Sequence, residues 1–595
     1  MAFLTTQPQL LADAATNVAD IRSAIAAANA AAAGPTTSLA AAAADEISEA
    51  IAVLFGSHAQ EYQAVIGQAT AFHEQFVAAL TAAGNAYAAA EAQAATTLNS
   101  LTAPLFGGVV APAAAGGAIA PFAAAALPTS ILPANFVALI MQGSGTPIPT
   151  VPYMHSVAPY IPGVSALTSL FPLVTPEGLY PLTAVKDLPL TVSVNTGVQI
   201  LDNALFGPQG LISGAAPFGG NAVNVLGYSQ SAIISSLELQ NIAAGLTAHP
   251  LPSQLAFTLL GNPMNPNGGL FARFPGLQLP SLGLDLYGAM PTHTGYQTTT
   301  YTLQYDGYAD FPRYPLNLLA DLNAFAGIQF VHGNYPDINP SALPPGFNLV
   351  QLPTTTGPAG LDQFYMITYP NLPLLEPLRA LPVIGNPLAD LVQPNLTTLV
   401  NLGYGDPHYG YSTSPADVPT PFGIFPSVNP VSLAGDLIAG SQQGFGAFVG
   451  DLQAMAPASP AALVNSLTSA FSGGGGGGGT GGFSLPALTA GFSPDAFIDQ
   501  LQALNTNVTS SITNAAANTY AVLLPTADIA NALVTSVPSY DFNLFLDGIE
   551  QVIGGDPVGG LTYAFGAPIA ANTALYALAG GFELNVLINA VEGII

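Results

Sequence analysis

The residues best suited to chemistry lie in three short stretches that follow one another along the chain. The first is "VNVLGYSQSAIISSLELQ" (223–240), centred on Gly227-x-Ser229-x-Ser231. The second, "TTYTLQYDGYADFPRYP", carries Asp306 and Asp310, and the third, "IQFVHGNYP", carries His332. A serine hydroxyl is a poor nucleophile until a histidine takes its proton, and a carboxylate fixes the imidazole tautomer and stabilises the imidazolium. The chain order Ser, Asp, His is the one used by serine nucleophiles mounted on an α/β sheet. Asp310 stands a few residues beyond an expected strand, in a Gly-x-x-Asp-x-Pro loop where the acid usually projects, and is favoured. Asp306 is nearer the strand end and is the alternative acid, with turn capping as its structural role.

These residues need particular elements to position them. "NVNVLGYSQS" reads as a buried strand running into the Gly-x-Ser turn, and "AIISSLELQNIAAGL" reads as the helix that follows. Strand, tight turn and helix make a nucleophile elbow, in which only small residues fit around the serine. Gly227 and Ser231 supply them, Ser231 standing where glycine is usual. The elbow aims the Gln230 N–H, at the helix start, towards a developing oxyanion. Upstream, "ALIMQGSGTPIP" reads as a strand ending in a glycine-rich loop whose residues Gly143 to Gly145 are candidates for the second donor, the Ser144 N–H being favoured by position. His155, His249, His293 and His408 compete with His332, but only His332 follows the candidate acid within the same region. Asp406 and His408, two apart in a Pro-containing turn, read as structural.

Composition sets the frame. With 62 glycines in 595 residues, Gly-x-Ser arises by chance, so the elbow context and the ordered acid and histidine carry the weight. Five Lys plus Arg against 33 Asp plus Glu give a net charge of −28, which argues against nucleic-acid binding and against anionic lipid. There is no cysteine, which removes disulfides, thiolate metal sites and cysteine nucleophiles. "GNPMNPNGGL" (261–270) lacks carboxylates and reads as a structural loop, not a cation site; no metal and no cofactor are expected. The N-terminus lacks the charge and apolar run of a standard signal peptide. The most apolar stretch, "APAAAGGAIAPFAAAALPTSILPANFVALIM", is interrupted by prolines, so no transmembrane segment is expected.

Along the chain, Leu11, Ala14, Val18, Ile21, Ile25 and Ala28 form one helical stripe, broken by "GPTT"; a second runs from Ile47 to Leu80. Residues 1–95 therefore read as a helical hairpin whose apolar side needs a helical partner. His58 and His73 read as ordinary interface or surface histidines. A Pro/Ala/Gly-rich linker spans 96–135. Residues 136–411 alternate short apolar runs with helical stretches, the texture of a mostly parallel sheet flanked by helices. Residues 412–482 read as a linker ending in "SGGGGGGGTGG", and 483–595 as a weakly helical C-terminal region with no assigned role.

The hairpin, with "SHAQEYQAVIGQATAFHEQFV" and "YAAAEA" after it, resembles the PE domain of the mycobacterial PE/PPE families, although the eponymous Pro-Glu reads Pro8-Gln9. The resemblance implies that Tyr87 and Glu91 form a Tyr-x-x-x-Asp/Glu signal for type VII secretion, that a PPE-type helical partner pairs with the hairpin, and that the protein is secreted or held at the cell wall or surface. "GSGTPIP", "LGYSQSA", "LLGNPMNPNGGLFARFPG", "YDGYADFPRYPLNLLADLNAFAGIQFVHGNYP" and "NLPLLEPLRALPVIGNPLADL" resemble the PE-PPE domain, a serine α/β-hydrolase module related to cutinase-like esterases. That implies esterase or lipase-like chemistry on acyl esters, with Ser229 as nucleophile, His332 as base and an Asp of "YDGYAD" as orienter. Only Lys186, Arg273, Arg313 and Arg379 are basic within the region, so neutral short- to medium-chain esters are expected in place of anionic substrates. An acyltransferase using the same triad is the alternative, and a non-catalytic surface interaction protein the second.

Overall fold

The computed structural model describes residues 126–215, 219–382, 384–454 and 520–592, with Ala30, Ala33, Gly34, Thr37 and Ala52 of the N-terminal segment. Two units divide the chain, Met1–Ile119 and Ala120–Ile595. The expected hairpin stripes, Tyr87 and Glu91 lie outside the described residues.

The second unit is built on seven strands: β1 (Val137–Ile140), β2 (Ser169–Pro172), β3 (Val223–Tyr228), β4 (Leu255–Leu260), β7 (Gln297–Leu303), β8 (Asn348–Gln351) and β9 (Asp362–Thr368). A separate two-stranded ribbon pairs β5 (Gln278–Leu279) with β6 (Leu284–Asp285). The large sheet has the order β2-β1-β3-β4-β7-β9-β8, parallel throughout except for the β8–β9 edge. The inner strands "VNVLGY" and "LAFTLL" are apolar on both faces because helices cover both. Ten helices are used below: α1 (Val151–Val157), α2 (Leu190–Phe206), α3 (Gln230–Ala243), α4 (Leu270–Arg273), α5 (Leu318–Phe330), α6 (Glu376–Arg379), α7 (Gly385–Asn401), α8 (Pro430–Ala454), α9 (Tyr520–Ile553) and α10 (Pro557–Glu592).

Side chains alternate across each strand, so the sheet separates two cores. On one face Leu139, Val225, Phe257 and Leu259 pack with Leu190, Val194 and Leu201 of α2 and Ile233 and Ile234 of α3. A Cβ at Gly197 of α2 would sit 2.2 Å from Ile234 Cδ1, so only glycine admits this close a crossing. On the other face Ile140, Leu226, Leu260 and Tyr301 pack with Tyr153 and Val157 of α1 and with Tyr335. The chain leaves β1 for β2 on one side and returns to β3 on the other, which opens a crevice at the carboxyl ends of β1 and β3.

One segment differs from the sequence expectation, and the weakly helical C-terminal region is more regular than its pattern suggests. Within the expected linker 412–482, α8 is a 25-residue helix lying on α7. Asn395 Nδ2 donates to Ser441 Oγ (2.8 Å), and a Cβ at Gly444 would meet the Leu391 carbonyl at 2.0 Å. Gly440 and Gly444, which read as helix breakers, are the contact positions that let the two helices approach. In the C-terminal region, α9 includes a π turn at Ala532–Ser536 and packs along α10, with Gly548 against the Ala564 backbone. By length and composition α9 is the one helix among the described residues that is apolar enough to cross a membrane. One side, with Ile529, Ala532, Val537, Tyr540 and Leu544, is buried against protein, and Val537, Tyr540 and Leu544 share the core of the α2–α3 face, while Leu523, Val534, Phe542, Leu546 and Ile553 are exposed.

Candidate active site

Ser229 follows β3 directly and holds φ 58° and ψ −117°, a left-handed backbone that L residues rarely adopt. The turn fits only because its neighbours are small. A Cβ at Gly227 would meet the Ser231 carbonyl at 2.5 Å and Ser235 Oγ at 2.6 Å, while Ser231 Oγ accepts from the Tyr228 N–H (2.8 Å). The Ser229 N–H donates to the Leu260 carbonyl of β4 (2.9 Å), so the elbow is pinned to the next strand.

His332 opens a short 3-10 turn after α5. Its Nε2 lies 2.8 Å from Ser229 Oγ, and its Nδ1 lies 2.9 Å from both oxygens of Asp306. The structure therefore brings Ser229, His332 and Asp306 together. Asp310, the favoured acid of the sequence reading, is not at the imidazole, and that choice is corrected here. The reason is local. Tyr305 takes a φ of 67°, which turns the chain back two residues after β7, so Asp306 faces the histidine. The Asp310 N–H donates to the Asp306 carbonyl, and Asp310 Oδ2 accepts from the Tyr305 N–H (2.9 Å), which folds the second carboxyl under the turn. Burial lifts the Asp310 carboxyl well above the usual carboxylate range, opposed by the Tyr305 N–H and the Arg273 guanidinium. Asp306 also caps the turn, accepting at Oδ1 from the Tyr308 N–H (3.0 Å). The capping and orienting roles fall on one residue.

Three tyrosines beside the triad residues in sequence were not singled out there. Tyr335 OH donates to Asp306 Oδ2 (2.8 Å) and accepts from the Leu303 N–H (2.9 Å). Burial and the neighbouring Asp306 keep this phenol protonated as a donor. Tyr228 OH donates to the His332 carbonyl (2.7 Å) and its ring stacks on the imidazole, while Tyr308 meets that ring edge-on at 4.7 Å. Their signal was position: Tyr228 immediately precedes the serine, Tyr308 follows Asp306 by two, and Tyr335 follows His332 by three. Gly261, at φ 55°, gives this cage room, since a Cβ there would lie 2.9 Å from the Tyr335 ring and 3.1 Å from His332 Cε1.

The "GNPMNPNGGL" loop is a buried brace. Asn265 Nδ2 donates to the Ala309 carbonyl (3.1 Å), the Leu270 N–H to the Tyr308 carbonyl (2.9 Å) and the Phe311 N–H to the Gly268 carbonyl (2.6 Å). Arg273 is fully buried and donates from Nε to the Phe311 carbonyl (3.1 Å); burial lowers its pKa to about 10. Every one of these bonds grips the acid turn.

The Gly143–Ser144 loop after β1 lies against the elbow, with the Cβ position of Gly143 only 3.0 Å from Ser229 Cβ. Ser144 Oγ donates to Gln230 Oε1 (2.8 Å), and Gln230 Nε2 donates to Ser193 Oγ (2.6 Å). This buried chain ties the two expected oxyanion residues to each other and to α2. The first-turn N–H of Gln230 has no partner within its own helix. Ser144, Ser229, Gln230 and His332 share the wall of one cavity of about 650 Å³. Among the described residues lining it there is no Lys, Arg, Asp or Glu. Asp406 and His408 form an exposed pair (3.0 Å) in a turn that does not line it.

A parallel sheet with helices on both faces, and a strand–elbow–helix serine within reach of a histidine, define an α/β-hydrolase domain. Residues 170–405 match the PE-PPE domain and residues 4–94 the PE family. The chain is 48% identical over 462 residues to the PPE family protein PPE28 of Mycobacterium tuberculosis, spanning 77% of this chain and 66% of that protein. It is 41% identical over 442 residues to Esterase PE16 of the same organism (73% and 74%) and 42% identical over 446 residues to PE family protein PE3 (75% and 87%). The chain belongs to the PE family and carries a PE-PPE domain.

Asp306→Asn should lower turnover of p-nitrophenyl butyrate by about 10,000-fold, because the imidazole loses its orienting acceptor. Asp310→Asn keeps an acceptor for the Tyr305 N–H in a side chain of the same shape that does not touch the imidazole, so activity should stay within about tenfold of the parent. Steady-state kinetics on both variants check the assignment, and the reverse order would contradict it.

Proposed function

We propose that the chain is a serine carboxylic-ester hydrolase acting on neutral acyl esters. The observation that carries this reading is the 2.8 Å approach of Ser229 Oγ to His332 Nε2, with Asp306 on the other imidazole nitrogen. In the proposed reaction Oγ attacks the ester carbonyl and its proton passes to Nε2. The negative oxygen of the tetrahedral adduct turns towards the N–H groups of Gln230 and Ser144. His332 then protonates the leaving alcohol as its C–O bond breaks, leaving an acyl group on Ser229. Water attacks that ester with His332 as base, releasing the acid and restoring the serine. No step needs a metal or cofactor. A wall that has no Lys, Arg, Asp or Glu among the described residues favours neutral substrates, and the name of the relative Esterase PE16 supports ester hydrolysis.

Acyl transfer to a sugar or lipid hydroxyl is the second reading. It uses the same acyl-enzyme, and a largely apolar, partly enclosed cavity favours it by disfavouring water as acceptor. We further propose that the N-terminal segment pairs with a PPE-type helical partner and that Tyr87 and Glu91 direct export through type VII secretion to the cell surface. PE family membership and PPE family relatives support that pairing.

Ser229→Ala should reduce p-nitrophenyl ester hydrolysis by several orders of magnitude with unchanged thermal unfolding, and a chelator should leave the parent's rate intact. Near-parental turnover in the variant would sink the reading. Tyr87→Ala combined with Glu91→Ala should keep the protein inside the cell while leaving its esterase rate unaltered. Undiminished export of that variant, read by immunoblot of culture filtrate, would refute the signal.

A further inference from the structure

The cavity at Ser229 is not made by the sheet and its helices alone. Leu182, Leu190, Ile233, Phe271, Leu286 and Ile328 supply one part of its wall. Another part comes from Ile529, Ala532, Leu533 and Val537 of α9 and from Leu575, Leu578, Ala579, Phe582 and Asn585 of α10, far along the chain from Ser229. These two helices lie beyond the residues matched to the PE-PPE domain, which end at 405.

They are built to stay where they are. Ala567, Ala570, Ala571 and Ala574 form a fully buried small-residue stripe that brings α10 close to the domain. A Cβ at Gly581 would meet the Phe325 ring of α5 at 2.3 Å, and Phe582 packs edge-on against the same ring. At the near end of α9, Asp528 accepts from Tyr180 OH (2.5 Å), and its carbonyl accepts from Ser281 Oγ (2.7 Å). Within the pair, Asn572 Nδ2 donates to Asp541 Oδ2 (2.9 Å) and Thr526 Oγ1 to Glu583 Oε1 (2.6 Å).

We propose that α9 and α10 are the roof of the acyl site, and that the roofed cavity takes a single long acyl chain of about palmitoyl length. The inference rests on the ester-hydrolase reading above and extends it to substrate class. Size decides it. A volume of about 650 Å³, at roughly 30 Å³ per water-sized group, holds on the order of twenty such groups, whereas a butyryl chain fills a small fraction. Each additional buried methylene multiplies affinity by about fourfold. Selectivity should therefore climb with chain length until the wall ends, beyond the medium lengths that composition alone suggested.

The test uses the full chain and two readouts. In a p-nitrophenyl series from butyrate to palmitate, kept below micelle formation, kcat/KM of the parent should rise to about the palmitate end. Ala579→Phe places a ring in the roofed space and should lower the palmitate-to-butyrate ratio by roughly tenfold or more. Phe582→Ala enlarges the space and should shift the optimum towards longer chains, which keeps the test decisive if the first variant folds poorly. Ile569→Ser, on the exposed outer face of α10, should leave the ratio where it was. Separately, Ser229→Ala protein should bind methyl palmitate in preference to methyl butyrate by calorimetry, and adding Ala579→Phe should weaken that binding by roughly tenfold. Methyl palmitate bound but no ester turned over by the parent would overturn the hydrolase reading and support the roofed site. Ser229-dependent turnover with no rise in the series, or with ratios unmoved by both roof substitutions, would overturn the proposal.

Discussion

Ser229 sits at φ 58° and ψ −117°, a backbone state that costs about 1–3 kcal/mol and persists only where its surroundings over-determine it. Those surroundings account for much of the local sequence. Gly227 is glycine because the Ser231 carbonyl and Ser235 Oγ of α3 stand where a Cβ would go, Ser231 accepts the Tyr228 N–H across the turn, and Gly143 is small because its loop rests on Ser229 Cβ. The Leu260 carbonyl receives the Ser229 N–H, so the elbow is fixed to β4 as well as to β3. Gly261 then lets the imidazole and Tyr335 close over the same strand end. A single strained residue thus dictates four neighbouring choices, and in return the hydroxyl stands at the crevice between β1 and β3.

Once the serine is fixed, the acid turn has to reach it from β7, two strands away in the sheet. Asp306 does so because the chain reverses at Tyr305, and the reversal is held from below by Asp310, Arg273 and the asparagine-rich loop. Buried asparagines and a buried guanidinium are costly unless their polar groups are satisfied. Here Asn265 Nδ2 and Arg273 Nε are used on backbone carbonyls of the acid turn, at Ala309 and Phe311, while Arg273 Nη1 and Asn267 Nδ2 tie the same loop to the Thr420 and Ser414 carbonyls. Tyr335 completes the arrangement from the other side, linking Asp306 to the end of β7.

The elbow was legible in sequence because its requirement is local: an apolar strand, small residues around a serine, and a helix start. His332 was legible because it alone follows an acid in the right region. Asp306 against Asp310 was not, since the two lie four residues apart and the choice depends on one positive φ at a tyrosine, a residue that carries no turn signature. The sheet could be read from "VNVLGY" and "LAFTLL", both buried on two faces. The helix α8 could not, and α9 and α10 showed only weakly. Gly440, Gly444, Gly548 and Gly581 look like helix breakers in sequence, yet each marks a place where another chain segment or ring comes too near for a Cβ. The roof over the cavity was hidden for a related reason: α10 is apolar or small on nearly every side, so it shows little of the one-sided periodicity that betrays a helix.

The central claim is that Ser229, activated by His332 and Asp306, is the nucleophile at the end of the cavity. Treating the full-length protein with a fluorophosphonate and mapping the modified peptide by mass spectrometry tests it most directly. The account predicts one adduct per chain, on Ser229 of the peptide containing "LGYSQSA", and none after the protein is unfolded. An adduct on another residue, or ester turnover by protein that never labels at Ser229, would contradict it.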